Sequence, residues 1–237
     1  MPLWGGGSDG MMDITFTSPP YNAGHMDINN PDGSIQEGTT KKYLGYEDDM
    51  DEGEYSEFIT KNLGLMLNVS REVFYNMGMV AGNKRAIIDL LSTYADNFKD
   101  LIYWKKSTVA PHIQKGTMSS VIELIMAFGS DNNTRNFAIG DVHYFNGVIE
   151  GGNASGNEYA DIHKATFPVY LPSEIIGRFT KPGDMVMDCF GGTGTTLMAC
   201  EQLGRKCRMM ELDPHYCDVI IKRWEDFTGR KAERVVS

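Results

Sequence analysis

Short apolar runs and longer amphipathic stretches take turns along this chain. Alternating apolar residues predict strands at 12–18, 72–80, 100–105, 121–128, 184–190 and 206–212. Helical spacing predicts a helix over 54–70, where Tyr55, Phe58, Ile59, Asn62 and Met66 share a face, and others over 83–97, near 172–180, and over 194–203 and 214–227. Strands interleaved with helices imply an α/β fold with a doubly wound, mostly parallel sheet covered on both faces. Two stretches interrupt the pattern. Residues 22–53 are polar and longer than a connection normally needs, which reads as a mobile lid or a disordered acidic segment, with Asn22 and His25 able to line a pocket. Residues 130–162 hold six asparagines and no period, and read as a small loop-rich insertion between a first half, 1–129, and a second, 163–237.

The last third carries the plainest chemistry. "DMVMDCFGGTGTTLMACEQLGRKCRMMELDP" joins a strand, a glycine turn, a helix and a second strand that ends in acid. Gly191, Gly192 and Gly194 allow a sharp turn and a close approach to a ligand, and the following helix start offers unsatisfied N–H groups. Glu211, twenty residues after Gly191, is placed to accept hydrogen bonds from ribose hydroxyls. These features describe a nucleoside-cofactor site, although "FGGTGTT" lacks the spacing of a dinucleotide fingerprint.

The first strand ends in "TSPPYN". Proline cannot donate to a sheet, so Pro19 and Pro20 end the ladder and hold carbonyl oxygens and the Ser18 hydroxyl in a rigid arrangement at the carboxyl end of the strand. Tyr21 then offers a flat face to a planar ring. Such a site is suited to gripping an amino group on an aromatic ring, whose nitrogen lone pair is freed for attack when acceptors draw its hydrogens out of the ring plane.

Composition constrains partners and compartment. The net charge is −10, with 15 acidic and 6 basic side chains in residues 1–98, so the first segment carries nearly all the excess and argues against phosphate on that face. Lys105, Lys106, Lys115, Arg135, Arg178 and Lys181 are the candidates for a local basic strip. Four cysteines match no common zinc spacing and read as reduced thiols, with no metal. No apolar run is long enough to span a membrane and the first residues lack a signal pattern, so the expectation is a cytoplasmic protein with no membrane partner.

Together the motifs resemble the amino-group DNA methyltransferases that use S-adenosylmethionine, in the permuted order called β, with the catalytic motif first and the glycine motif last. The resemblance implies a Rossmann-like methyltransferase fold, double-stranded DNA as partner, and a target-recognition region at 130–162. It implies that Ser18, Pro19, Pro20 and Tyr21 bind and activate a flipped base. It also implies that Thr17, Thr166, Phe167, Pro168, Phe190, Gly191, Gly192, Gly194, Thr195 and Thr196 surround the cofactor, with Glu211 on its ribose. Asp188 either contacts the cofactor or orders the turn. Serine before the proline pair goes more often with cytosine N4 than with adenine N6 in the resembling families, so cytosine is favoured and adenine is the alternative. RNA, a protein amide and an inactive binding module are weaker alternatives. Methylation at cytosine C5 needs a cysteine after proline, which the chain lacks. Two copies could pair as a homodimer, and small enzymes of this type occur in bacteriophages and beside restriction enzymes. Family members usually clamp the adenine with a strand and acid upstream of the catalytic motif. Here Trp4 and Asp9, or the terminal "AERVV", are the available substitutes.

Overall fold

The computed structural model describes residues 11–22, 28–29, 35–36, 50–79, 81–107, 121–130, 136–137, 145–152 and 167–235. Its strands are β1 (Met12–Thr17), β2 (Ile28–Asn29), β3 (Ile35–Gln36), β4 (Ser70–Gly78), β5 (Phe98–Lys106), β6 (Ile122–Gly129), β7 (Val148–Gly151), β8 (Met185–Asp188) and β9 (Lys206–Met209). Seven of them form one sheet in the order β7-β5-β6-β4-β1-β8-β9, while β2 and β3 pair with each other inside the long polar stretch. The helices are α1 (Glu52–Leu67), α2 (Lys84–Thr93), α3 (Tyr170–Phe179), α4 (Thr195–Leu203) and α5 (Pro214–Thr228).

The sheet is mostly parallel, with one reversal: β6 runs against both β4 and β5. The sequence contains the reason. A parallel connection needs a crossover, usually a helix, and no helical pattern separates 100–105 from 121–128. Between β4 and β5, by contrast, α2 supplies the crossover, so these strands point the same way with β6 between them. The stretch expected to be loop-rich contributes the edge strand β7, parallel to β5.

Period-two alternation divides the core between the two faces. Ile14, Phe16, Phe74, Trp104, Ile125 and Val186 face α3 and α4. Val73, Tyr75, Met77, Met126 and Phe128 face α1 and α2. Helix α1 starts two residues before the expected position 54 because Asp51 caps it, its carboxylate accepting from the Gly53 amide at 2.8 Å. Helix α5 likewise begins at Pro214 behind the capping Asp213 and stops at Gly229, whose φ is +68°. At the amino-terminal foot of the sheet Lys99 and Glu72 form a buried pair at 4.0 Å, and the Lys99 ammonium also donates to the Asn136 carbonyl. Removing either charge would strand the other in the core, a loss of about 3–5 kcal/mol.

Two expectations about the periphery change. Residues 232–235 form no strand, so the terminal segment does not extend the sheet beyond β9; Trp4, Asp9 and His25 lie outside the described residues. Of the candidate basic strip, Lys115 and Arg135 also lie outside them. Lys105 pairs with Glu150, Lys106 with Glu123 and Arg178 with Glu174. Arg178 and Lys181, at the end of α3 and before β8, sit at the foot of the sheet, away from the carboxyl ends of the parallel strands.

Candidate active site

The two sequence motifs meet because their strands are neighbours. β1 pairs in parallel with β8, Thr15 opposite Met187, so the chain leaves β1 at Ser18 beside the point where it leaves β8 at Cys189. A side-chain bond seals the junction: the Thr17 hydroxyl donates to Asp188 Oδ1 at 2.6 Å. The same carboxylate oxygen accepts from the Phe190 amide at 3.1 Å, which fixes the first residue of the glycine turn. Asp188 is 1 % exposed. Burial pushes its carboxyl up to about 6, against the partial relief of those two hydrogen bonds and with a further push from the charge of Glu211. The Thr196 hydroxyl is near enough to lower it somewhat but makes no well-formed hydrogen bond among the described residues. Geometry thus gives Asp188 a turn-ordering task.

Glycine is required in the turn for two different reasons. A Cβ on Gly191 would lie 2.8 Å from Met209 Sδ and 3.1 Å from the Met210 carbonyl oxygen, because the turn packs directly on the end of β9. Gly192, at φ +52°, has open space where a Cβ would project. Its amide donates to Glu211 Oε2 at 2.7 Å, and the Asp213 amide donates to Oε1 at 2.9 Å, so the carboxylate is oriented by backbone and keeps lone pairs for further donors. Beside it Leu212 is 83 % exposed, an apolar surface next to an acid that was not anticipated from sequence. Gly194 then opens α4, whose Thr195 and Thr196 are buried. An open glycine cradle, an oriented acid and an adjoining bare leucine fit a nucleoside cofactor with ribose hydroxyls and a flat base.

On the other side of the Thr17–Asp188 junction, Pro20 and Tyr21 are anchored. Tyr55 of α1 donates its hydroxyl to the Pro20 carbonyl at 3.0 Å, so that carbonyl is already engaged within the protein. Phe58, one turn further along α1, packs on Phe190 at 6.1 Å between ring centres, so one helix braces both motifs. Asn22 is buried, accepting no role at an open lid: its amide donates to Asn83 Oδ1 and its side chain to the Met50 carbonyl. Phe167 packs edge-on against Phe16 at 5.6 Å, and Pro168 leads into α3; Thr166 lies outside the described residues.

The Tyr21 hydroxyl accepts from the Gly78 amide at 2.9 Å and donates to Glu123 Oε2 at 3.2 Å. The same Glu123 oxygen accepts from Asn76 Nδ2 at 3.3 Å, and that nitrogen lies 3.5 Å from Ser18 Oγ. Sequence reading missed Asn76 and Glu123, and it offered Lys106 only as a member of the basic strip. A signal was present, since each stands two positions from a core residue of its strand: Asn76 after Phe74, Lys106 after Trp104 and, on the reversed β6, Glu123 before Ile125, as Ser18 stands after Phe16. With a period of two, all four therefore share the face of the sheet that those core residues occupy. Cys189, the thiol nearest this junction, is pushed up to about 12 by burial and by the charge of Asp188, which disfavours thiolate chemistry here.

Comparison with known proteins follows the same lines. The family model N6_N4_Mtase, described as DNA methylase, matches residues 12–223. The Type II methyltransferase M2.DpnII of Streptococcus pneumoniae is 27% identical over 238 residues, covering 90% of this chain and 82% of its own. Among solved structures, PvuII DNA methyltransferase (cytosine-N4-specific) has a TM-score of 0.64 at 20% identity, covering 91% of this chain and 80% of that one. M1.HpyAVI in its SAM complex has a TM-score of 0.58 at 19% identity, covering 91% and 90%.

Proposed function

Because the chain belongs to the N6_N4_Mtase family of DNA methylases and transfers a methyl group from S-adenosylmethionine to an exocyclic amino group of a DNA base, we propose that its acceptor is cytosine N4. Serine at position 18, where an acidic or amide side chain goes more often with adenine, supports cytosine. The observation that carries the reaction itself is the Thr17–Asp188 bond, since it joins the base-gripping motif to the glycine turn at one rim.

In this reading the base leaves the duplex and stacks on Tyr21, whose ring is held by its hydroxyl at the end of β4. Ser18 Oγ and the Pro19 carbonyl accept the two amine hydrogens. Acceptors set rigidly by two prolines stabilise the positive charge that grows on nitrogen as its lone pair leaves the ring, with little reorganisation during the reaction. Gly192 leaves room for the cofactor while Gly191 and Gly194 let the turn pack closely on Met209 and Ile220; Glu211 takes the ribose hydroxyls, and Leu212 supplies an apolar seat for the adenine. When bound, S-adenosylmethionine supplies an electrophilic methyl group on a cationic sulfur. Thr17, Phe190, Thr195, Thr196, Phe167 and Pro168 are proposed to complete the surroundings of the cofactor.

Residues 130–162 are proposed to contribute to target recognition, through the part that follows β7. β7 runs parallel to β5 and brings the chain to Gly152 at the same end of the sheet as Ser18. The reading is tested by incubating the protein with labelled S-adenosylmethionine and duplex DNA at low salt, then hydrolysing the DNA to nucleosides. N4-methylcytosine is expected. N6-methyladenine would overturn the choice of base, and label found only in RNA or protein would overturn the substrate.

A further inference from the structure

Glu123 has no place in either motif, yet it holds both residues that would grip the base. We infer that Glu123 is a positioning residue of the base pocket, acting on Ser18 through Asn76 and on Tyr21 through its hydroxyl. The inference rests on the proposed role of Ser18 and Tyr21.

Asn76 is 1 % exposed, and its two terminal atoms are not equivalent in this setting. One of them lies 3.3 Å from Glu123 Oε2. Lys106 forms an ion pair with the other carboxylate oxygen, with the two side chains 22% and 14% exposed, so the acid is held as an acceptor. Only the NH2 end of Asn76 can face it; the reversed amide would set carbonyl oxygen against carboxylate. That same nitrogen is 3.5 Å from Ser18 Oγ, the outer limit of a hydrogen bond and a separation that substrate binding can shorten. Ser18 Oγ is therefore an acceptor toward Asn76, its own hydrogen points elsewhere, and one lone pair stays available for the target amine. The consequence for Asn76 is visible, since its Oδ1 is buried with no hydrogen bond among the described residues. An orphaned carbonyl of this kind calls for an explanation, and the fixed orientation of the amide provides one.

Tyr21 is governed in the same way. Its oxygen accepts from the Gly78 amide, which leaves its hydrogen for Glu123. A Cβ on Gly78 would stand 3.2 Å from Tyr21 Cε2 and 3.3 Å from its hydroxyl oxygen, so the hydroxyl end of the ring packs against this glycine and has no room to move inward. One carboxylate on the reversed strand β6 thus sets the direction of the Ser18 acceptor and anchors the hydroxyl end of the stacking ring.

Glu123→Gln keeps the volume and removes the constraint, because a carboxamide can meet Asn76 in either orientation. Methyl transfer by Glu123→Gln should show kcat lowered about 10–100-fold, with S-adenosylmethionine affinity by calorimetry within about twofold of wild type. Asn76→Ala should lower kcat as well. The double variant should lose less than the product of the two single losses, since part of the Glu123 effect runs through Asn76. Glu123→Asp, which keeps the charge, should recover part of the loss. Wild-type kcat in Glu123→Gln, or losses that multiply in the double variant, would overturn the inference. Should Glu123→Gln not fold, Glu123→Asp carries the test: lowered kcat with cofactor affinity kept supports the inference, and unchanged kcat overturns it. A wild-type enzyme that methylates no DNA would instead defeat the proposed function on which this rests.

Discussion

The two halves of the crevice are built by opposite strategies. The cofactor side is one continuous segment, Met185 to Asp213, in which strand, turn, helix, strand and acid succeed one another and bond mainly among themselves. The base side is assembled from four strands, with Ser18 after β1, Asn76 in β4, Lys106 in β5 and Glu123 in β6, residues up to 105 positions apart in the chain. Local geometry secures the first and the register of the sheet secures the second. Disturbing the cofactor side should therefore abolish one function cleanly, whereas disturbing the base side should produce graded, coupled losses.

The sharpest break is Gly192→Leu. The side chain would enter the open cradle from a backbone at φ +52°, and cofactor affinity measured by calorimetry should fall roughly 100-fold or more, about 3 kcal/mol. Normal affinity would show that the cofactor sits elsewhere.

Next comes the junction itself. Asp188 has a folded pKa of about 6, above the 3.8 of an unperturbed group. Between those values the folded chain holds more protons than the unfolded one, so this contribution to stability is complete below about pH 4 and is lost as the pH rises through about 6. Asp188→Asn removes the titration. From pH 4 to 7 the variant should gain roughly 2–3 kcal/mol on wild type in urea unfolding. A constant difference across that range would mean that Asp188 titrates normally.

On the base side, Tyr21→Ala should weaken binding of DNA carrying an extrahelical target base by about 1–3 kcal/mol while leaving cofactor affinity intact. Equal binding by both proteins in fluorescence titrations would remove Tyr21 from the pocket. Tyr55→Phe is the mildest test. It deletes the hydroxyl that donates to the Pro20 carbonyl and should reduce stability by about 1 kcal/mol in thermal unfolding. No change in melting temperature would show that the Tyr55 hydroxyl does not brace the motif.

The same contrast explains what the sequence disclosed. Gly191, Gly192 and Glu211 were legible because a turn that packs on Met209 and an acid that receives the turn's own amide lie within one short segment. Ser18, Pro19, Pro20 and Tyr21 were legible as a motif, but the partners that orient them were not, because Asn76 comes beside Ser18 only when β4 pairs with β1, and Glu123 reaches them only once β6 is inserted backwards between β4 and β5. Most elements were correctly anticipated. β7 was not, since its pairing with β5 comes from tertiary register and leaves no periodicity in "VIEG". Charge counts could not show that Lys105, Lys106 and Arg178 are each held by a carboxylate.

Ser18→Ala tests most directly whether these halves cooperate at one rim. Binding of S-adenosylmethionine and methyl transfer to DNA should be measured on the same preparation. Cofactor affinity within about twofold of wild type, with transfer lowered by about 100-fold, is the predicted result. Transfer at the wild-type rate would contradict it, since the amine would then be activated by something other than the oxygens at the end of β1.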